Sequence, residues 1–131
     1  MIPIRIAIVD DSEDFRKAVR FFLEQIPDFI IVGEAQSGKE FIELAQNAPI
    51  DIALVDIKMP EMDGITATYQ IAKTHYPYLK IIAVSMHNDM ENLKAMIEAG
   101  AMGYINKEDV FSHLEKAIRS VASNKHYYGK L

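Results

Sequence analysis

Ile4-Arg5-Ile6-Ala7-Ile8-Val9-Asp10-Asp11, followed after three residues by Phe15, Ala18, Val19 and Phe22, is the stretch on which the fold turns. Its first six residues have the length and Ile/Val content of a strand. The later four stand at i, i+3, i+4 and i+7, the spacing that lines apolar side chains along one helical face. Ser12, between them, is a hydroxyl where a helix N-terminus needs a cap. A strand that passes within a few residues into an amphipathic helix is one βα unit.

The unit recurs outward along the chain. Apolar runs of strand length stand at residues 30–32, 52–55, 81–84 and, more weakly, 104–105. Helical stripes follow them: Phe41, Leu44 and Ala45, then Ile65, Tyr69 and Ala72, then Leu93, Met96 and Ile97, and finally Leu114, Ala117, Ile118 and Val121. Ser37 is a second cap, Gly64 opens the third helix and Gly100 closes the fourth. Five strands alternating with five helices imply a parallel sheet covered by helices on both faces, because parallel strands need a crossover. Burial on both faces also explains why the runs are continuously apolar. Beyond Val121 the period fades, so residues 1–123 read as one domain and 124–131 as a tail or the start of a linker.

With 131 residues, the chain has the size of one domain, and 50% hydrophobic against 25% charged residues suffices for a full core. A net charge of −5 argues against direct binding to the phosphate backbone of nucleic acid. The absence of cysteine excludes disulfides, thiol nucleophiles and thiolate metal sites. The apolar runs are far shorter than the roughly 20 residues of a membrane helix, and the N-terminus does not read as a signal peptide. A cytoplasmic protein without membrane contact is expected.

Ligands of open parallel sheets bind beyond the carboxyl ends of the strands. There the first run ends in Asp10-Asp11, the third in Asp56, the fourth in Ser85 and the fifth in Asn106-Lys107. Any one of these residues suits a solvated turn. Together they are a constellation: three carboxylates repel unless a divalent cation lies among them, and Mg2+ suits oxygen ligands completed by phosphate. Lys107 supplies positive charge for a phosphoryl group and Ser85 a hydroxyl donor. Asp56, alone on its strand, is the candidate nucleophile for an aspartyl phosphate.

In this order and spacing, Ile6-Ala7-Ile8-Val9-Asp10-Asp11, Asp56-Ile57-Lys58-Met59-Pro60-Glu61-Met62-Asp63-Gly64, Ser85 and Gly103-Tyr104-Ile105-Asn106-Lys107 resemble the receiver domains of two-component response regulators. The likeness runs over residues 4–123. It implies a flavodoxin-like (βα)5 three-layer sandwich with strand order 2-1-3-4-5. It makes Asp56 the phosphoacceptor for a sensor histidine kinase, with Lys107 and Ser85 contacting the phosphoryl group. Mg2+ would be held by Asp10, Asp11, Asp56 and the backbone carbonyl of Lys58. Ser85 and Tyr104 would form the conformational switch, while Lys58 and His87 occupy the positions that tune phosphoryl lifetime. The chain would be a signalling switch that assists its own phosphorylation rather than a metabolic enzyme. Glu108 follows Lys107 where many receivers carry proline.

Ser85-Met86-His87, Leu114-Glu115-Lys116-Ala117-Ile118 and the closing Tyr127-Tyr128 are most similar to receivers of the NarL/LuxR type. Those usually continue into a helix-turn-helix domain, so DNA is expected as a target only through an output domain outside this chain. A homodimer is among the partners this type allows. A stand-alone receiver working through protein contacts is the alternative.

Other classes fit less well. Gly33-Glu34-Ala35-Gln36-Ser37-Gly38-Lys39-Glu40 nearly matches a nucleotide-binding loop, but Glu40 stands where the motif needs a hydroxyl. A haloacid-dehalogenase-like phosphatase needs a second Asp where Lys58 stands. His75, His87, His113 and His126 lack metal-ligand spacing. Met96 reads as core filler, and Met59 and Met62 as packing for the loop after Asp56.

Overall fold

The computed structural model describes residues 2–75, 77–86 and 90–128. Strands β1 (Ile4–Val9), β2 (Phe29–Ala35), β3 (Ile52–Val55), β4 (Lys80–Ser85) and β5 (Gly103–Asn106) alternate with helices α1 (Glu13–Glu24), α2 (Gly38–Asn47), α3 (Gly64–His75), α4 (Met90–Ala99) and α5 (Val110–Ala122). A single 3-10 turn, Lys107–Asp109, joins β5 to α5. The sheet is parallel in the order β2-β1-β3-β4-β5, as the resemblance implied.

Side chains alternate along the strands, and both faces of the sheet pack against helices. Ala7, Val9, Ala53, Val55, Ile81, Ala83 and Tyr104 face α2, α3 and α4, where Phe41, Ile71 and Met96 close the core. Ile6, Ile8, Ile52, Leu54, Ile82, Val84 and Ile105 face α1 and α5, against Leu23, Leu114 and Ile118. Truncating a fully buried Leu such as Leu114 costs about 2–5 kcal/mol, so each layer is a large fraction of net stability.

The caps stand where the hydroxyls suggested. Ser12 Oγ accepts from Phe15 N at 3.2 Å and Ser37 Oγ from Glu40 N at 3.1 Å. Gly100 follows α4 at φ +122°, a left-handed stop favoured for glycine. Among the described residues no helix is long and apolar enough to cross a membrane.

Residues 126–128 carry no sequence period, yet they lie ordered along the outer edge of β5. Asn124, at φ 65°, turns the chain after α5. Tyr127 then pairs in parallel with Gly103, its N–H donating to Met102 O (3.0 Å) and its carbonyl accepting from Tyr104 N (2.8 Å). Tyr127 packs on the α1/α5 side and Tyr128 on the other, which covers backbone groups that an edge strand would leave open.

Candidate functional site

The strand order reverses between β1 and β3, the place where such sheets open a crevice. Backbone pairing fixes the edge there: Asp56 N donates to Val9 O (2.9 Å) and Asp10 N to Ala35 O (3.0 Å). Asp10, Asp11 and Asp56 are thereby brought together, each offering a carboxylate oxygen within 4.8 Å of the other two. Asp10 is 1% and Asp56 9% exposed, whereas Asp11 faces solvent.

Each buried carboxylate is half committed. Asp10 Oδ1 accepts from Ser12 N (2.9 Å) and Asp56 Oδ1 from Ile57 N (2.8 Å). Their second oxygens turn to Lys107 Nζ, 2.6 Å from Asp10 Oδ2 and 3.4 Å from Asp56 Oδ2. The short approach to Asp10 is off the hydrogen-bonding angle, so its buried Oδ2 has an ionic neighbour but no hydrogen bond. Burial, and then the charge of Asp10, push the Asp56 carboxyl up to about 6, against the opposing pull of Lys107 and the Ile57 N–H. Three clustered carboxylates and one ammonium leave surplus negative charge and a buried oxygen without a hydrogen bond, which is the donor set a hard divalent cation such as Mg2+ suits.

Two supports escaped the sequence. Arg16 Nη1 donates to the main-chain carbonyl of Asp10 at 2.6 Å, and its Nε donates to Glu34 at 3.0 Å. Arg20 also pairs with Glu34. The Phe15 ring lies 4.4 Å from Lys107 Nζ, a cation–π contact that holds the ammonium over the site. No spacing rule signals either, because the partners come from different elements.

The loop after Asp56 is closed at its base by Gly64 N donating to Ile57 O (2.7 Å), and a Cβ on Gly64 would stand 2.0 Å from the Asp56 carbonyl. Lys58 is exposed in that loop, while Met59 and Met62 pack against the core. Ser85 ends β4 beside Asn106 of β5 and is 5% exposed. Tyr104 is buried in the α2/α3/α4 layer. His87 lies outside the described residues. The stretch resembling a nucleotide-binding loop is the end of β2 and the start of α2, and the N–H groups of Gly38 and Lys39 already donate to Met62 O and Glu61 O. No phosphate cradle is left there.

Fold and edge define a CheY-like receiver, and residues 6–119 match the response regulator receiver domain family, to which the chain belongs. The proteins it is similar to include transcriptional regulators and a response regulator of the LuxR family. The transcriptional regulatory protein DegU of Brevibacillus brevis is 33% identical over 124 residues, covering 95% of this chain and 52% of that protein. A LuxR-family response regulator from Aurantimonas sp. SI85-9A1 superposes with a TM-score of 0.89 at 29% identity, covering 95% of this chain and 89% of that one. The isolated receiver of RcsB from Salmonella enterica serovar Typhimurium, solved with the phosphomimetic BeF3-, gives 0.88 at 27% identity, covering 98% and 94%. The chain spans about half the length of the curated relatives it matches.

Proposed function

We propose that the chain accepts a phosphoryl group on Asp56 from the phosphohistidine of a sensor histidine kinase, in a Mg2+-dependent reaction. The observation that carries this reading is the joint presence of Asp10, Asp11, Asp56 and Lys107 at one edge, with Asp56 Oδ1 already bonded and Oδ2 turned toward the ammonium. Asp56 Oδ2 forms the new bond to phosphorus as the bond from phosphorus to the imidazole nitrogen breaks, and the electron pair leaves with the imidazole. Lys107 offsets the charge on the phosphoryl oxygens, and the Ser85 hydroxyl donates to one of them. Asp10, Asp11, Asp56 and the Lys58 carbonyl would hold Mg2+, which when bound neutralises phosphoryl charge and draws the reacting groups together.

Movement of Ser85 toward the phosphoryl group, coupled to Tyr104, is the proposed switch. Lys58 and His87 set how long the phosphoryl group survives. Residues 1–123 form the switching unit, and residues 124–131 lead toward a helix-turn-helix output domain outside this chain. That output acts on DNA in the cytoplasm, with a second copy of the receiver as a dimer partner.

Intact mass after incubation with acetyl phosphate tests the reading. One added phosphoryl group that requires both Mg2+ and Asp56 supports it. Phosphorylation of Asp56→Asn at the wild-type rate overturns the site assignment.

A further inference from the structure

The loop joining β3 to α3 holds two successive non-glycine residues in the left-handed region, Glu61 at φ 48° and Met62 at φ 89°. Such backbone is disfavoured and persists only where its surroundings hold it. Here the holder is the N-terminus of α2. Gly38 N donates to Met62 O at 2.9 Å and Lys39 N to Glu61 O at 3.2 Å, so two donors that a helix start leaves open are spent on the two left-handed residues.

Gly38 makes the approach possible. A Cβ there would meet Met62 O at 2.5 Å, Met62 Cγ at 2.9 Å and Asp63 O at 3.0 Å. Two of these are backbone atoms of the loop, which cannot swing aside as the end of a side chain does. The same loop begins at Asp56, contains Lys58 and is clamped at its base by the bond from Gly64 N to Ile57 O. Its tip is therefore fixed by α2 and its base by α3.

We infer that Gly38 is a positioning residue for the phosphoacceptor loop: by letting α2 seat its first two N–H groups on the Glu61 and Met62 carbonyls, it sets where the Lys58 carbonyl stands relative to Asp56. This rests on the reading of Asp56 and Lys58 given above. α2 thus belongs to the site although none of its side chains reaches the acidic cluster. Ser37 caps the same helix turn through Glu40 N and makes no bond to the loop, so the tether is separable from ordinary capping.

The test compares wild type, Gly38→Ala, Lys39→Pro and Glu43→Gly. Proline is tolerated in the first turn of a helix; at this position it removes the donor to Glu61 O and sets its ring against that oxygen, so it breaks the tether from a second point. Glu43→Gly weakens α2 on its exposed face without touching the loop. Amide hydrogen exchange is followed in metal-free protein, and Mg2+ affinity by calorimetry. Gly38→Ala is expected to speed exchange at residues 57–64 and weaken Mg2+ binding about tenfold, the range over which outer supports of a metal site act. Lys39→Pro should give a change of the same kind, and Glu43→Gly should leave both readings at wild type. If Gly38→Ala does not fold, Lys39→Pro decides alone. Unchanged loop exchange in Gly38→Ala and Lys39→Pro, or equal changes in Glu43→Gly, overturn the inference. A wild type that binds no Mg2+ overturns the metal reading instead, while exchange still decides whether α2 holds the loop.

Discussion

Lys107 leans on Asp10 more closely than on Asp56: its Nζ lies 2.6 Å from Asp10 Oδ2 and 3.4 Å from Asp56 Oδ2. The ammonium therefore serves as counter-ion of the acidic edge, and a cation entering among the carboxylates competes with it for Asp10. Release of Lys107 from Asp10 would free it for a phosphoryl group on Asp56, so one side chain has a role before and after charge arrives.

Lys107→Met removes that counter-ion and leaves Asp10 and Asp56 buried beside each other. Breaking a buried charge pair from one side typically costs about 3–5 kcal/mol, and relief of the lysine's own burial reduces this to about 3 kcal/mol. Denaturation in a chelator should show the loss. Mg2+ at millimolar concentration should raise the melting temperature of Lys107→Met more than that of wild type, since no ammonium contests Asp10. Equal shifts in the two proteins would mean that Lys107 and the metal do not share the site.

Asp56 gives a pH prediction of opposite sign to most carboxylates. Its folded carboxyl stands at about 6 against an ordinary 3.8, so the folded state holds the proton more tightly. Stability then falls as pH rises between those values and stays lower above them. Asp56→Asn cannot ionise, so the metal-free variant should be the more stable protein at neutral pH. The shift, discounted for solvent reaching the site, corresponds to about 2 kcal/mol. The gain should vanish below the ordinary carboxylate range and shrink when Mg2+ is added. Urea unfolding at neutral and acid pH in a chelator measures it, and a variant no more stable than wild type at neutral pH contradicts it.

What the sequence made legible follows from which signals are local. Val9-Asp10 and Val55-Asp56 are each an apolar run stopped by a carboxylate, and in a parallel sheet every strand stops at the same edge, so the acidic cluster could be read from position alone. Arg16 could not. Its partners, Asp10 O and Glu34, lie 6 and 18 residues away and meet it only because α1 crosses beside β2. Gly38 looked like part of a near-miss nucleotide loop, because its reason for being glycine is the Met62 carbonyl of another loop. Strand β2 reaches Ala35, past the apolar residues 30–32, since pairing with β1 rather than hydrophobicity extends it. Tyr127 is ordered on the open edge of β5 by two backbone bonds that no side-chain period announces.

Gly64→Ala should be among the most damaging single-methyl changes in the chain. The added Cβ would stand 2.0 Å from the Asp56 carbonyl and 3.0 Å from Ile57 Cα, both backbone. Relief requires α3 to retreat from β3, breaking the bond from Gly64 N to Ile57 O. A loss of at least about 3 kcal/mol is expected, in the range reserved for strain at special backbone positions. Phosphorylation from acetyl phosphate should fall with it even where the fold survives. Stability within about 1 kcal/mol of wild type would show that the helix start has slack.

Asp28 and Arg119 contribute to the acid sensitivity of the fold. Arg119 on α5 donates to both carboxylate oxygens of Asp28, at 2.8 and 2.9 Å, and lies over the Phe29 ring, tying the last helix to the start of β2. These bonds hold the Asp28 carboxyl below the usual carboxylate range. A carboxyl lowered in the fold stabilises it fully above its unfolded value, and that contribution disappears as pH falls through the folded value. Asp28→Asn should therefore be less stable than wild type at neutral pH and lose less on acidification. Arg5 and Asp51 form a second such pair, with Asp51 more open to solvent than Asp28, so part of the acid slope remains in the variant. Double-mutant unfolding with Arg119→Met separates the two: coupling between Asp28 and Arg119 should be present at neutral pH and absent once Asp28 is protonated, and a coupling that ignores pH would assign the contact to packing on Phe29 rather than to charge.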